Sequence, residues 1–473
     1  MMYRAPGKAV CADVIPFYED GEFKLFYLRD YRDIPTHGEG CPWCLLTTRD
    51  LVDYSDCGPV LLRGKESEQD LYVFTGCCIK HGNRYCIFYT GHNPHLRAQG
   101  LPEQKVLRAV SDDLIHWEKD HDFVFEAPEW LEMHDFRDPF VFFDDERGRW
   151  CMLLAGRVKN DNPVNAKGVT LIAYSDDLVS WTLDKEPFYA PHAYFTHECP
   201  DLFKMGKYWY LVFSEFTDKI VTTYRISESP FGPWRTPLVN NFDAHAFYAA
   251  KSVSDGKRRI MFGWNCIKMD ERDDGFWQWG GTIIPHELVQ GEDGTLYVKC
   301  PEEIKAAYSA ELDVAETFRM GDISSENGVY ISGGEGRNVQ MFGCMPENCR
   351  IEMTFTAEDN RGDFGLILRA DDAQNAYYSV KFEPKFNRLA MDKQPRRDNT
   401  LHIQADTERY CPVVPGEVNT LTVIAEGSVL EVYVNDKVAM SARMFDLKEG
   451  NFGIYTHNNS VRFGDIRIYA AAR

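Results

Sequence analysis

The sequence contains no run of about 18 apolar residues, so no segment of it is expected to cross a bilayer as a helix. Its opening stretch, MMYRAPGKAVCADVIPFYEDG, lacks an apolar segment followed by a small-residue cleavage site, and the expected location is cytoplasmic. Basic residues are in the minority: 52 Lys and Arg stand against 73 Asp and Glu, a formal charge of -21. Nucleic acid and anionic membrane surfaces are held mainly by Lys and Arg neutralising phosphates, so neither is expected as a partner. The 14 cysteines lack the dense spacing of a disulfide framework. They are scattered through apolar runs, such as Cys86 in RYCIFYTG and Cys151 in RWCMLLAG, and most read as small buried hydrophobes. CPWC at 41–44 has redox spacing, but the helix whose N-terminus would activate a thiol is missing after it. No paired motif completes a zinc site with His37, His92 or His95. A small neutral substrate fits these absences.

What is present is a repeat. Five segments combine an apolar strand, a glycine turn and a second apolar strand, beginning near Asp13, Leu71, Asp138, Glu198 and Phe247. Their turn glycines are Gly21, Gly82, Gly148, Gly206 and Gly256, placed where a hairpin needs a residue tolerant of positive φ. A second phrase follows three of the hairpins, TRDLVDY at 48–54, SDDLIHW at 111–117 and SDDLVSW at 175–181, at spacings of 63 and 64 residues. Two strands followed by such a turn read as a four-stranded blade, and five of them as a five-bladed β-propeller. Beyond residue 300 the pattern changes: PEEIKAAYSAEL (301–312) reads as a short helix after a proline, and the remainder as alternating strands of an antiparallel sandwich. The expected fold is therefore all-β, with a propeller over 1–300, a linker over 301–314 and a C-terminal β-sandwich over 315–473. That second domain also leaves room for a homo-oligomer contact.

Alignment on the turn glycines singles out a set of side chains. Asp13, Glu198 and Tyr248 each stand eight residues before their glycine, and Asp138 stands ten before its own, which has the longer turn. This places all four at the opening of the same strand in four blades. Carboxylates crowded at one axis perturb each other, which lets one stay protonated beside one that is ionised. Arg137 precedes Asp138, and His197 precedes Glu198. Trp43, Phe74, Trp277 and Trp279 are candidate platforms for sugar rings, with ordinary core packing as the other reading of each.

Several phrases resemble glycoside hydrolase family 32, the invertase and fructanase group. RDP at 137–139 matches its Arg-Asp-Pro motif and ECPDLF at 198–203 its Glu-Cys motif. FTGC at 74–77 resembles Phe-Ser-Gly-Ser, FYAAKS at 247–252 resembles Phe-Tyr-Ala-x-Gln, and WGGTIIPHEL at 279–288 resembles a further family phrase. The resemblance implies a retaining glycosidase acting on a β-fructofuranosyl bond: Asp13 as nucleophile, Glu198 as general acid/base and Asp138 stabilising the transition state through sugar hydroxyls. It implies that no metal or organic cofactor is needed; the candidate substrate contacts, read from the residues, are Arg137, Trp43, Phe74, His197, Tyr248 and Trp279. The opening motif Trp-Met-Asn-Asp-Pro-Asn-Gly is absent; the chain reads VCADVIPFYEDG there, and only Asp13 supplies a carboxylate. Leu28 and Cys77 replace groups that hold fructose hydroxyls in the family, so sugar recognition is expected to be rebuilt, with His37 and Glu39 of the THGEG loop as candidates and an ordinary solvated loop as the other reading. Other readings stay open on the same frame: an arabinofuranosidase, a furanosyl transferase, or an inactive carbohydrate-binding propeller.

Overall fold

The computed structural model describes residues 1–160, 165–217, 219–395 and 405–472. The chain is all-β; among the described residues the α-helices are the short Ile34–His37 and Glu302–Ala307. It divides into two compact units, one of Met1–Asn241, Phe247–Cys266 and Trp279–Thr295, the other of Phe242–Ala246, Ile267–Gln278 and Leu296–Arg473.

In the first unit each glycine turn closes a hairpin. The first strands are Val10–Glu19, Tyr72–His81, Leu131–Asp144, Glu198–Met205 and Phe247–Ser254. The five turn glycines all have φ between 57° and 89°, which a β-carbon would oppose. The first strands pack against one another in sequence order, and Phe247–Ser254 packs back against Val10–Glu19. Gly281 also pairs with Cys11, joining the end of this unit to its beginning. Apolar side chains fill the space between neighbouring sheets: Phe88 and Val106 lie with Met152 and Leu154, and Leu153 and Ile172 with Leu211 and Phe213; Leu25 packs with Ile260 and Phe262 of its own sheet. Strands buried on both faces account for the near-continuous apolar runs of the sequence.

The Asp-Leu phrase is a side-chain-capped turn. Thr48, Ser111 and Ser175 hydroxyls accept the N–H groups of Leu51, Leu114 and Leu178 at 2.9, 3.0 and 2.9 Å. Asp50, Asp113 and Asp177 each accept two further N–H groups. The leucines sit at φ of 60°, 67° and 63°, a conformation unfavourable for a branched residue, yet they are at most 2% exposed. Burial of the side chain together with the two caps offsets that strain.

The first strands share a second irregularity. In four of them two residues oppose one on the partner strand: Asp13 and Val14, Asp138 and Pro139, Cys199 and Pro200, Ala249 and Ala250. The leading residue of each pair has positive φ, 33° at Asp13, 59° at Asp138, 51° at Cys199 and 51° at Ala249. These are β-bulges, and in the second hairpin Thr75 alone is the extra residue. The bulges correct the alignment made from the turns. Asp13 matches Asp138 and Cys199, whereas Glu198 matches Arg137 and Tyr248. Only Glu198 opens its strand; Asp138 lies well inside Leu131–Asp144.

The second unit holds two antiparallel sheets. One runs Ile323–Glu326, Val329–Ser332, Val461–Ala470, Cys349–Ala357, Asn419–Glu426, Val429–Val434 and Val438–Arg443; the other runs Glu316–Met320, Arg337–Met345, Gly450–His457, Asp363–Ala370, Tyr377–Glu383, Arg388–Gln394 and Thr407–Tyr410. Strict alternation along CRIEMTFTA buries Cys349, Ile351, Met353, Phe355 and Ala357 on one face. There Phe355 meets Phe382 and Phe364 of the other sheet at ring separations of 4.6 and 5.2 Å, within one shared apolar core.

Candidate active site

The bulges turn three carboxylates into one polar cluster. Asp13 accepts a hydrogen bond from the Trp264 indole N–H at 3.1 Å and another, short one from the Thr75 hydroxyl. Asp138, only 4% exposed, receives the Cys199 N–H at 2.9 Å, and its own N–H donates to the Thr90 hydroxyl at 2.8 Å. Glu198 is gripped from two sides: Arg137 donates to Oε1 at 3.0 Å and the Tyr248 hydroxyl to Oε2 at 2.6 Å. Residues of all five first strands thus take part, counting Thr75 from the second and Tyr248 from the fifth.

Arg137 is the cation of the cluster. Its guanidinium lies 3.0 Å from Glu198 and 3.7 Å from Asp138, and it donates to Asp135 at 2.9 Å and Thr196 at 3.0 Å. Its fork geometry and permanent charge suit a group that orders carboxylates without taking part in proton transfer. Burial and the neighbouring charges of Asp138 and Glu198 push the Asp13 carboxyl up to about 7, against the two donors that favour its ionised form. Burial and Asp138 also raise Glu198, with Arg137 and Tyr248 opposing. The Tyr248 hydroxyl is driven well above its usual range by burial and by Glu198, and so remains a donor. Asp13 and Glu198, buried beside Asp138, are thus both shifted toward their protonated forms, and a raised carboxyl at Glu198 suits a general acid.

Around this cluster Phe74 and Trp279 form an aromatic rim. Phe74 stacks on His92 at 4.6 Å, and Trp279, 38% exposed, stands 6.1 Å from the Trp264 ring and 6.5 Å from Phe74. Two residues expected to touch sugar do not reach solvent. Trp43 is fully buried against Phe26 and Tyr89, with its indole N–H donating to the Phe74 carbonyl at 3.1 Å, so it braces the rim from behind. His197 is likewise fully buried, stacked on Phe213 at 4.3 Å and hydrogen-bonded to Thr170; burial and Arg225 push it down to about 3, leaving a neutral core residue beneath Glu198. His37 is exposed on its short helix and stacks on Tyr31 at 4.3 Å, outside the hydrogen-bonded cluster. Glu39 accepts from Tyr72 at 3.1 Å and pairs with His95 at 2.9 Å. Trp277 falls in the second unit, beneath the Lys268 ammonium at 4.4 Å.

Thr75, Trp264 and Thr90 were not singled out by the sequence. FTGC drew attention to its phenylalanine, yet the threonine beside it holds Asp13. The cysteines of CPWC are free and buried, and burial raises Cys41 well above the usual thiol range and Cys44 to about 12, the opposite of an activated redox pair.

Comparison with known proteins identifies relatives of the whole chain. The chain is 25% identical over 482 residues to a probable sucrose-6-phosphate hydrolase of Psychromonas ingrahamii, covering 96% of this chain and 76% of that protein. Its fold is similar to that of a sucrose-6-phosphate hydrolase from Lactobacillus gasseri, with a TM-score of 0.73 and 20% identity over 98% of this chain and 91% of the other. Fructan 1-exohydrolase IIa from Cichorium intybus gives 0.72 at 17% identity, over 100% and 97% of the two chains. The family model described as Glycosyl hydrolases family 32 N-terminal domain matches residues 14–300, starting one residue after Asp13, and that described as Glycosyl hydrolases family 32 C terminal matches 331–470. Carboxylates gathered by bulged strands, in a chain matched by both domains, lead to one conclusion: this protein belongs to glycosyl hydrolase family 32 and is a glycoside hydrolase.

Proposed function

We propose that the protein is a retaining β-fructofuranosidase acting on a small fructoside or short oligosaccharide, with its cluster at the axis of a five-bladed propeller over 1–300, followed by residues 301–314 and a β-sandwich over 315–473. The cyclic packing of the five first strands and the Gly281 pairing with Cys11 support the ring. The observation that carries the activity is that Asp13 and Glu198, each held by its own pair of donors, lie within electrostatic reach of one another and of Asp138. Asp13 is held by Thr75 and Trp264, Glu198 by Arg137 and Tyr248, and Asp138 stands close enough to both to raise them.

In the first step the Asp13 carboxylate attacks the anomeric carbon while Glu198 gives its proton to the departing oxygen. In the second, Glu198 takes a proton from water, whose oxygen displaces Asp13 from the sugar. Asp138 holds sugar hydroxyls, and Arg137 fixes the geometry of both its acidic neighbours. Phe74 and Trp279 supply the platform. The carboxyl groups of Asp13 and Glu198 are expected about 5–5.5 Å apart, as retention requires.

The test is a turnover of sucrose in water containing methanol, followed by NMR. Methyl β-fructofuranoside as the transfer product supports the reading; the α-anomer overturns it. Sucrose 6-phosphate, named in several of the relatives, is assayed beside sucrose; the charge of -21 favours the neutral sugar. The 14 free thiols support a reducing, cytoplasmic location.

A further inference from the structure

Behind the carboxylates lies a charged side chain that this chemistry does not use. Lys251, on Phe247–Ser254, is 3% exposed. Its ammonium donates to two backbone carbonyls, Gly76 at 3.1 Å and Pro200 at 3.1 Å, and stands 5.4 Å from the centre of the Phe140 ring. Both carbonyls belong to the bulged segments. Gly76 follows Thr75, whose hydroxyl holds Asp13, and Pro200 follows Cys199, whose N–H holds Asp138. Glu198 is two residues before Pro200. The backbone at Gly76 is packed so closely that a β-carbon there would lie 1.9 Å from the Phe88 carbonyl oxygen, so this segment has little freedom to find another donor.

We infer that Lys251 is a positioning residue: it ties the bulge of the second hairpin to that of the fourth, and so holds Thr75 and Cys199 in place against Asp13 and Asp138. The inference rests on the reading of these carboxylates as the catalytic acids. A buried bulge loses regular ladder partners, and its carbonyls need donors from elsewhere. One ammonium with three N–H groups serves two of them from a third strand. Charge itself is not required. In the family phrase Phe-Tyr-Ala-x-Gln, which FYAAK parallels, a glutamine stands here, and its amide also offers two N–H donors.

Two variants separate the roles. Lys251→Met keeps the stem and removes the donors, and kcat is expected to fall about 10–100-fold, with KM changed far less, because a displaced catalytic group costs rate rather than binding. Lys251→Gln is expected to restore most of the loss. The acid limb of kcat/KM should move to higher pH in Lys251→Met, since Asp13 loses the firm hydroxyl bond that favours its ionised form. Asp13 also faces Asp138, Glu198, Tyr248 and the thiols of Cys41 and Cys199; the Lys251 charge lowers the Cys199 thiol, and both substitutions remove that charge alike. A substrate-free readout is the indole N–H of Trp264 in ¹⁵N-tryptophan-labelled protein, assigned with Trp264→Phe, whose shift follows the titration of Asp13. Its midpoint should rise in Lys251→Met and return in Lys251→Gln. This signal survives even if the wild type cleaves no fructoside, a result that would defeat the proposed function alone. Unchanged kcat and indole titration in Lys251→Met overturn the inference. So does a folded Lys251→Gln that is as impaired as Lys251→Met. If Lys251→Met does not fold, Lys251→Gln decides alone: rate and titration near wild type support the inference, and a tenfold slower enzyme with a wild-type titration refutes it.

Discussion

Two irregularities recur among the hairpins of the first unit, the Asp-Leu turn after three of them and the paired bulge in four, and they recur differently. At the Asp-Leu turns the same backbone is built each time from the same residues: a hydroxyl and an aspartate cap the N–H groups, and a buried leucine takes positive φ. At the bulges the backbone also repeats, but the leading residue is Asp13, Asp138, Cys199 or Ala249. A turn that only has to fold converges on one sequence. A bulge whose purpose is to aim a side chain keeps its shape and lets the side chain vary with its task, and positive φ at a non-glycine residue is a strain that persists where the surroundings fix it. The difference separates residues that act from residues that hold.

The variant expected to have the largest effect replaces the bulge residue that acts most directly. Asp13→Asn removes the nucleophile, and turnover should fall by at least about 10³-fold for every substrate whatever its leaving group. Near-normal activity in Asp13→Asn would place the nucleophile elsewhere and leave the first bulge as mere scaffolding. Next is Glu198→Gln, which loses proton donation. Sucrose cleavage should slow by about 10²–10⁴-fold, while an activated aryl fructoside, whose oxygen leaves without help, should be slowed much less in the first step. Equal losses on both substrates would show that Glu198 does not act as the acid.

The same contrast explains what could be read from the chain. The hairpins, their glycines and the Asp-Leu phrases were legible because each fold requirement leaves the same residues at a regular spacing. Asp138 and Glu198 were legible through RDP and ECPD, where an arginine and a cysteine flank the acid. The one-residue offset between Asp13 and Glu198 was not, because a bulge adds a residue without marking it in the sequence. Thr75 and Trp264 escaped for a related reason: their roles arise from strands 62 and 251 residues away along the chain, and a lone threonine or tryptophan carries no signal of such a partner. Trp43 and His197 show the converse error, since aromatic rings near a sugar motif also serve to brace it from within.

A smaller effect should come from Thr75→Val, which conserves shape and removes one hydroxyl. The Thr75 bond favours ionised Asp13, whose carboxyl already stands near 7, so its loss raises that value further. The acid limb of the kcat/KM profile is expected to move up by about one pH unit or less, roughly 1.4 kcal/mol at most, with activity least affected on the plateau above it. A shift toward lower pH would mean that the hydroxyl accepts a proton from Asp13 rather than donating to it.

The smallest effect on activity belongs to the outer turn, and it tests the comparison from the other side. In Ser111→Ala the same kind of group is deleted as in Thr75→Val. Ser111 accepts the Leu114 N–H at 3.0 Å and the Asp113 N–H at 3.1 Å, and its hydroxyl donates to Asp113 at 3.1 Å. Without it the backbone N–H of a buried leucine at φ 67° loses its acceptor, while Asp113 still caps Ile115 and His116. Loss of such a cap costs about 0.5–2 kcal/mol, a fall in melting temperature of a few degrees for a chain of this size. Because this turn holds fold and aims nothing, kcat/KM and both limbs of its pH profile should stay at wild-type values below the melting transition. A pH profile displaced in Ser111→Ala as in Thr75→Val would erase the distinction between the two irregularities, and would mean that the outer turns help set the geometry of the acids.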